Sequence, residues 1–226
     1  MGCTNPISSM ARRIPSQTPS SSNVFNINNF SNSVAKLRFF FRNFAKDMKI
    51  CVFCSANQQI DPDFFGLTSE LGRWMAQEGH TLVYGGVNCG LMECVAKAVH
   101  EAGGLTIGVI PQIVEKNGRI SEYVDVEMLC DNLSDRKQLM LDQSDVCIAL
   151  PGGIGTIDEV FTVAASATIG YHAKRVILYN MKGYWDSLVA LLDDLQTKGA
   201  IRGDWHSYIG VASSLNEVGK LLAEEL

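Results

Sequence analysis

Short apolar runs alternate along this chain with longer stretches in which apolar residues recur every three or four positions. The runs predict strands at Lys49–Cys54 (KICVFC), Thr81–Gly86 (TLVYGG), Thr106–Ile110 (TIGVI), about Tyr123–Leu129, Val146–Leu150 (VCIAL) and Arg175–Asn180 (RVILYN). A β-favouring run without alternation, such as VCIAL, suits a strand buried on both faces of a parallel sheet. The periodic stretches predict helices between them. Asp61 and Pro62 read as N-cap and first helical residue of a helix reaching about Glu78, with Phe65, Leu67, Leu71, Trp74 and Met75 on its buried side and Gly79 closing it. Further helices are predicted over Leu91–Ala102, from Ser134, from Thr156 (Ile157, Val160, Phe161 and Ala164 on one face) and over about Tyr184–Thr197. Ser214 and Glu217 form a capping box for a final helix. Pro111–Glu122 has no such pattern and is expected to be a loop. Strands alternating with helices at this spacing predict an α/β fold, a doubly wound parallel sheet with helices on both faces, in a single domain over residues 48–226.

In such a sheet ligands collect outside the carboxyl ends of the strands. That edge would carry Ser55, Gly85, Gly86 and the turn PGGIGT, Pro151–Thr156. Gly152, Gly153 and Gly155 let the backbone bend sharply and approach a ligand closely. A helix starting there aims free N–H groups and its positive dipole end at one spot, an arrangement that favours an anion, typically phosphate. Two better known phosphate loops are excluded. A GxGxxG fingerprint begun at Gly153 would need glycine where Asp158 stands. Gly85 and Gly90 have Walker spacing, but Leu91 and Met92 replace the Lys and Ser or Thr that would hold phosphate and magnesium.

Glu159 follows Gly155 by about one helical turn, so its carboxylate can stand beside whatever the turn holds. An acid next to a phosphate is repulsive unless a cation develops nearby. Breaking an N-glycosidic bond creates an oxocarbenium-like sugar, which a carboxylate stabilises while orienting the attacking water. Acids are also favoured in a first helical turn by the dipole alone. Arg136 and Lys137 supply adjacent positive charge ahead of the Asp145 strand, the first as a planar fork and the second as a point charge. Two basic neighbours are equally an ordinary solvated pair. No Ser or Cys nucleophile is arranged with His172 in the manner of a triad.

Charge and cysteine usage narrow the classes. The chain carries a formal −5, yet residues 1 to 46 hold six basic residues and no acid; this leaves 13 basic against 24 acidic residues, a net −11, for the remainder. An acidic body is a poor match for a nucleic-acid backbone. No apolar run reaches the ~18 residues a membrane helix needs. The seven cysteines sit mostly in apolar runs, as small reduced hydrophobes suited to the cytoplasm rather than as a disulfide framework. Cys51 and Cys54 form a CxxC, but in a strand they point to opposite faces, which argues against a metal site. Residues 1–47 are basic, Ser- and Asn-rich and acid-free. They read as a leader outside the fold, either an organelle transit peptide or a disordered or mis-started extension, since Met48 directly precedes the first strand.

Taken together, PGGIGTIDE, SDRKQLM, YGGVNCGLM and GYHAK resemble, in this order, the PGGxGTxxE, RKxxM, YGGxxxGLM and GxHxK motifs of the Lonely Guy family, phosphoribohydrolases often mislabelled as lysine decarboxylases. The resemblance spans roughly Met48–Leu226. It implies a Rossmann-like nucleotide-binding fold, a homodimer or larger assembly, and hydrolysis of a nucleoside 5′-monophosphate, such as a cytokinin riboside monophosphate or AMP, to free base and ribose 5-phosphate. It places the catalytic arginine on Arg136 and the catalytic glutamate on Glu159. The phosphate-binding residues fall on Gly152, Gly153, Gly155 and Thr156, and the lysine of the RK pair on Lys137. No metal or redox cofactor is implied. Glu93, Ser134 and Thr168 depart from residues common in the family, which bears on base specificity. A non-hydrolytic nucleotide or cofactor carrier of the same fold is the alternative, and an NAD-dependent oxidoreductase a more distant one.

Overall fold

The computed structural model describes residues 47–224; the leader expected over 1–47 lies outside the described residues except for Asp47. Seven strands form one parallel sheet in the order β4-β3-β2-β1-β5-β6-β7. The strands are β1 Lys49–Phe53, β2 Thr81–Tyr84, β3 Thr106–Pro111, β4 Val126–Cys130, β5 Val146–Ala149, β6 Val176–Tyr179 and β7 Ile209–Ala212. Seven α-helices connect or follow them: α1 Asp63–Glu78, α2 Gly90–Glu101, α3 Gln112–Lys116, α4 Leu133–Asp142, α5 Ile154–Thr168, α6 Asp186–Thr197 and α7 Leu215–Ala223. This is the doubly wound α/β architecture expected from the alternation of patterns.

Every residue of β2, β5 and β6 beyond Thr81 is buried, as continuous apolar runs require. The sheet separates two cores. On one face Ile50, Val52, Leu82 and Tyr84 pack with Leu71 and Met75 of α1, Leu91, Val95 and Val99 of α2, and Val218 and Leu222 of α7. On the other, Cys51, Val83, Cys147 and Leu178 pack with Met140 of α4, Val160 and Val163 of α5, Leu192 of α6, and Trp185 and Trp205. Cys51 and Cys54 belong to opposite cores, as the strand period dictates.

Several boundaries differ from expectation for local reasons. α1 begins at Asp63 rather than Pro62, although the Asp61 carboxylate still accepts from the Asp63 N–H at 3.0 Å. The Pro111–Glu122 loop contains the one-turn helix α3, too short to show a period. β4 begins three residues later than expected, at Val126, because Asp125 and Tyr123 turn back to bond Thr106. α4 starts at Leu133 under an Asn132 cap whose side chain accepts from the Ser134 and Asp135 N–H groups. α5 begins at Ile154, two residues before Thr156, and Tyr184 lies in a turn ahead of α6 instead of in it. Ser214 caps α7 as expected, but the Glu217 carboxylate reaches back to the Ser213 N–H, one residue short of the classical box. β7 was not expected at all: IGVA is only four residues long and contains a glycine.

Candidate active site

The strand order reverses at β1, which has β2 on one side and β5 on the other. The crevice outside the carboxyl ends of β1 and β5 is therefore the topological switch point, the place where open α/β sheets hold ligands. Ser55 sits there. Its N–H donates to the Pro151 carbonyl at 3.1 Å, its carbonyl accepts from the Leu91 N–H at 2.8 Å, and its hydroxyl accepts from the Asn57 N–H at 3.0 Å. These bonds stitch the ends of β1, β5 and α2 into one rim.

The β5–α5 turn has a packed side and an open side. A Cβ on Gly152 would stand 2.1 Å from the Thr156 hydroxyl, so only glycine fits. Gly153 and Gly155 face open space, with nothing within 4 Å of a Cβ built on either. Gly153 is the N-cap of α5 and offers no side chain to its first N–H groups. The orphan donors of α5 and the dipole behind them are left available to an anion. Thr156 is buried against the turn, its hydroxyl packed on Gly152. The Tyr184 phenol donates to the Gly152 carbonyl at 2.9 Å from the β6–α6 connection.

Glu159 lies on the same face of α5 as Thr156 and is only 7% exposed. Burial is the main reason its pKa rises from 4.5 to about 7; the Arg136 charge opposes the rise, Asp158 adds to it, and Lys137 opposes it. The same carboxylate pushes the buried Cys54 thiol up, after burial itself, which sets Glu159 against the end of β1. Arg136 reaches the crevice from the second turn of α4. Its Nε donates to the Val109 carbonyl at 3.2 Å and its Nη2 to the Gly85 carbonyl at 3.0 Å. A Cβ on Gly85 would stand 1.7 Å from that nitrogen. Gly85 is thus glycine because the guanidinium occupies the space a side chain would need. Gly86 has φ +67° and its missing Cβ would meet Ile110, so it serves the bend itself.

Lys137 is turned toward α5 rather than toward the glycine turn. Its Nζ lies 2.8 Å from the Asp158 carboxylate and 3.2 Å from the Thr162 hydroxyl. The structure therefore gathers Ser55, Gly85, Arg136, Gly152, Gly153, Gly155, Thr156 and Glu159 along one edge and gives Lys137 a protein partner beside them. Sequence reasoning overlooked Asp158 and Tyr184. An acid beside Glu159 carries no signal of its own, and Tyr184 reaches Gly152 across 32 positions of sequence. Among the described residues no three His, Cys, Asp or Glu side chains converge as a metal site would require.

A protein-family model described as "Possible lysine decarboxylase" matches residues 92–222. The chain is 35% identical over 180 residues to the cytokinin riboside 5′-monophosphate phosphoribohydrolase LOG3 of Arabidopsis thaliana, covering 80% of this chain and 84% of that protein. It is 39% identical over 153 residues to the probable cytokinin riboside 5′-monophosphate phosphoribohydrolase LOGL9 of Oryza sativa subsp. japonica, covering 68% of this chain and 67% of that one. Among solved structures, the Moco carrier protein from Chlamydomonas reinhardtii superposes with a TM-score of 0.60 at 24% identity, over 80% of this chain and 98% of that chain. That likeness speaks to the fold.

Proposed function

This chain belongs to the Lonely Guy family of cytokinin riboside 5′-monophosphate phosphoribohydrolases, and from that membership we infer that it is an N-glycosidic hydrolase, cleaving a nucleoside 5′-monophosphate to free base and ribose 5-phosphate. The observation that carries the assignment of roles is the juxtaposition of an uncapped helix N-terminus with a nearly buried carboxylate one turn further on. The 5′-phosphate sits on the N–H groups of the Gly153–Thr156 turn, with the Thr156 hydroxyl as a further partner. This orients the ribose so that C1′ faces Glu159. As the C1′–N bond breaks, its electron pair leaves with the base and positive charge spreads over C1′ and the ring oxygen. Ionised Glu159 stabilises that charge and takes a proton from the incoming water, whose oxygen bonds to C1′; the base acquires a proton in turn, so the net reaction adds OH to the sugar and H to the base.

Arg136 is clamped by two carbonyls in the same crevice. There it holds a fixed positive charge that keeps Glu159 ionised more readily than burial alone would permit. Ser55, Gly85 and Gly86 form the rim under the nucleoside, and Lys137 lends long-range positive charge from α4, where it is paired with Asp158 of α5. Leu133 at the start of α4, Ile154 at the start of α5, and Ile169 and Tyr171 just beyond its end are 65%, 88%, 67% and 80% exposed. Apolar surface of this kind supports a homodimer as the working form. Sedimentation of the purified protein at micromolar concentration tests that point, and a monomer contradicts it.

The experiment for the activity is mass analysis of products after incubation with AMP and a panel of cytokinin riboside monophosphates. Free base and ribose 5-phosphate in equal amounts are expected, with Glu159→Ala losing most turnover while still binding nucleotide. A carrier of the same fold would return every nucleotide intact and have no use for Glu159.

A further inference from the structure

We propose that Tyr184 is a positioning residue for the phosphate turn: by donating to the Gly152 carbonyl it fixes the plane of the Gly152–Gly153 peptide and aims the Gly153 N–H at the anion. In a trans peptide the C=O and the following N–H point in opposite directions. A hydroxyl bonded to the Gly152 oxygen at 2.9 Å on one side therefore commits the Gly153 N–H to the other. The turn needs such a commitment. Glycines have little intrinsic preference for one peptide orientation, a Cβ built on Gly153 or Gly155 would meet nothing within 4 Å, and α5 has no side-chain cap.

The tyrosine is itself held from several sides. Its ring meets Phe64 edge-on at 5.5 Å between centroids and Trp185 edge-on at 4.9 Å. The Trp185 indole N–H donates to the Ala149 carbonyl at the end of β5, and the Asn180 side chain accepts from the Trp185 N–H while donating to Asp186. The bend that delivers Tyr184 contains Lys182 at φ 54°, ψ 29°, a left-handed conformation that a residue with a side chain adopts at a cost. On the surface Lys182 pairs with Asp61, just ahead of α1, and with Asp63, its first residue. A corner held by aromatic packing and buried hydrogen bonds, presenting a hydroxyl to a glycine carbonyl, is an arrangement that preorganises a donor before the ligand arrives.

The inference rests on the phosphate-binding role proposed for the turn, and its test separates the two. Tyr184→Phe retains the ring between Phe64 and Trp185 and loses only the hydroxyl. Calorimetric titration with AMP and with adenine, which has no phosphate to meet the turn, is carried out in the Glu159→Gln background, where the nucleotide is not consumed, and compared with and without Tyr184→Phe. The expected result is a roughly fivefold to tenfold weaker Kd for AMP, the usual worth of one hydrogen bond, with adenine changed by less than about twofold on the same scale. In turnover the loss falls on KM rather than kcat. A second reading is the rise in melting temperature that the same fixed concentration of inorganic phosphate produces within each protein, referenced to that protein without phosphate; it should shrink in Tyr184→Phe. Unchanged AMP affinity, or equal weakening of AMP and adenine, overturns the proposal. Wild type that binds AMP through this turn but returns it intact contradicts the hydrolase reading alone and leaves the role of Tyr184 standing.

Discussion

Replacing Glu159 with glutamine should abolish most turnover and also make the protein more stable, by an amount that grows with pH. In the folded chain the carboxyl has a pKa of about 7 against an ordinary 4.5, chiefly because it is buried. Its folded-state pKa is raised, so the native state binds more protons than the unfolded state between those values. The associated stability is present in acid and is lost as pH rises toward and through 7. At 1.36 kcal/mol per pKa unit, ionised Glu159 costs the fold about 3 kcal/mol above pH 8. About 2.5 kcal/mol of that develops between pH 5 and pH 8, since part is already lost at pH 5. Glutamine has nearly the same shape and never ionises, so the stability gap between Glu159→Gln and wild type should widen by about 2.5 kcal/mol over that interval, or roughly 5–10 °C in Tm for a domain of this size. Urea melts of both proteins at pH 5, 6, 7 and 8 measure the gap. A gap that stays constant with pH would mean that burial does not perturb Glu159. On the kinetic side, wild-type kcat/KM should climb about tenfold per pH unit below about 7 and level off above it if the ionised carboxylate is the working form.

Other substitutions probe the neighbours of that carboxylate. Asp158→Asn removes a charge that raises the Glu159 pKa and releases Lys137 from its ion pair; the acid limb of the pH–rate profile should move to lower pH, and no movement would show that the two carboxylates do not communicate. Arg136→Met removes the charge that opposes burial, so that limb should move to higher pH while kcat/KM falls about 10²- to 10³-fold, the scale of losing one electrostatic contact to a developing charge. Gly152→Ala drives a methyl against Thr156 and should cost about 1–3 kcal/mol in a urea melt. Gly153→Ala enters open space and should stay within about 0.5 kcal/mol. Equal costs for the two would show that the turn is not packed on one side and open on the other.

The fold was legible where burial leaves a continuous apolar run, as in VCIAL, and where a period of three to four residues persists for several turns, as in α1 and α2. It was illegible where neither condition holds. β7 is four residues with a glycine, and α3 completes a single turn, so no window is long enough to carry a period. The start of α4 hides in Asn132, whose capping role depends on a side-chain bond that sequence does not show. The order of the strands follows from handed crossovers and packing, yet the switch point it creates beside β1 lies where the glycine turns were expected to converge. Within the site, Glu159 and the turn were readable because they are neighbours in sequence. The clamp of Arg136 by Gly85 joins residues 51 apart, and the pairing of Lys137 with Asp158 spans 21 positions. Such bonds are products of the tertiary fold, and the residue types alone are compatible with solvated surface charge.

A crystal structure of Glu159→Gln with AMP bound shows directly where the phosphate rests relative to the acid. The phosphate is expected on the N–H groups of residues 153–156, with Tyr184 still on the Gly152 carbonyl and C1′ of the ribose facing the side chain at position 159. A nucleotide held elsewhere, with the turn empty and that side chain directed away from the sugar, would contradict that placement.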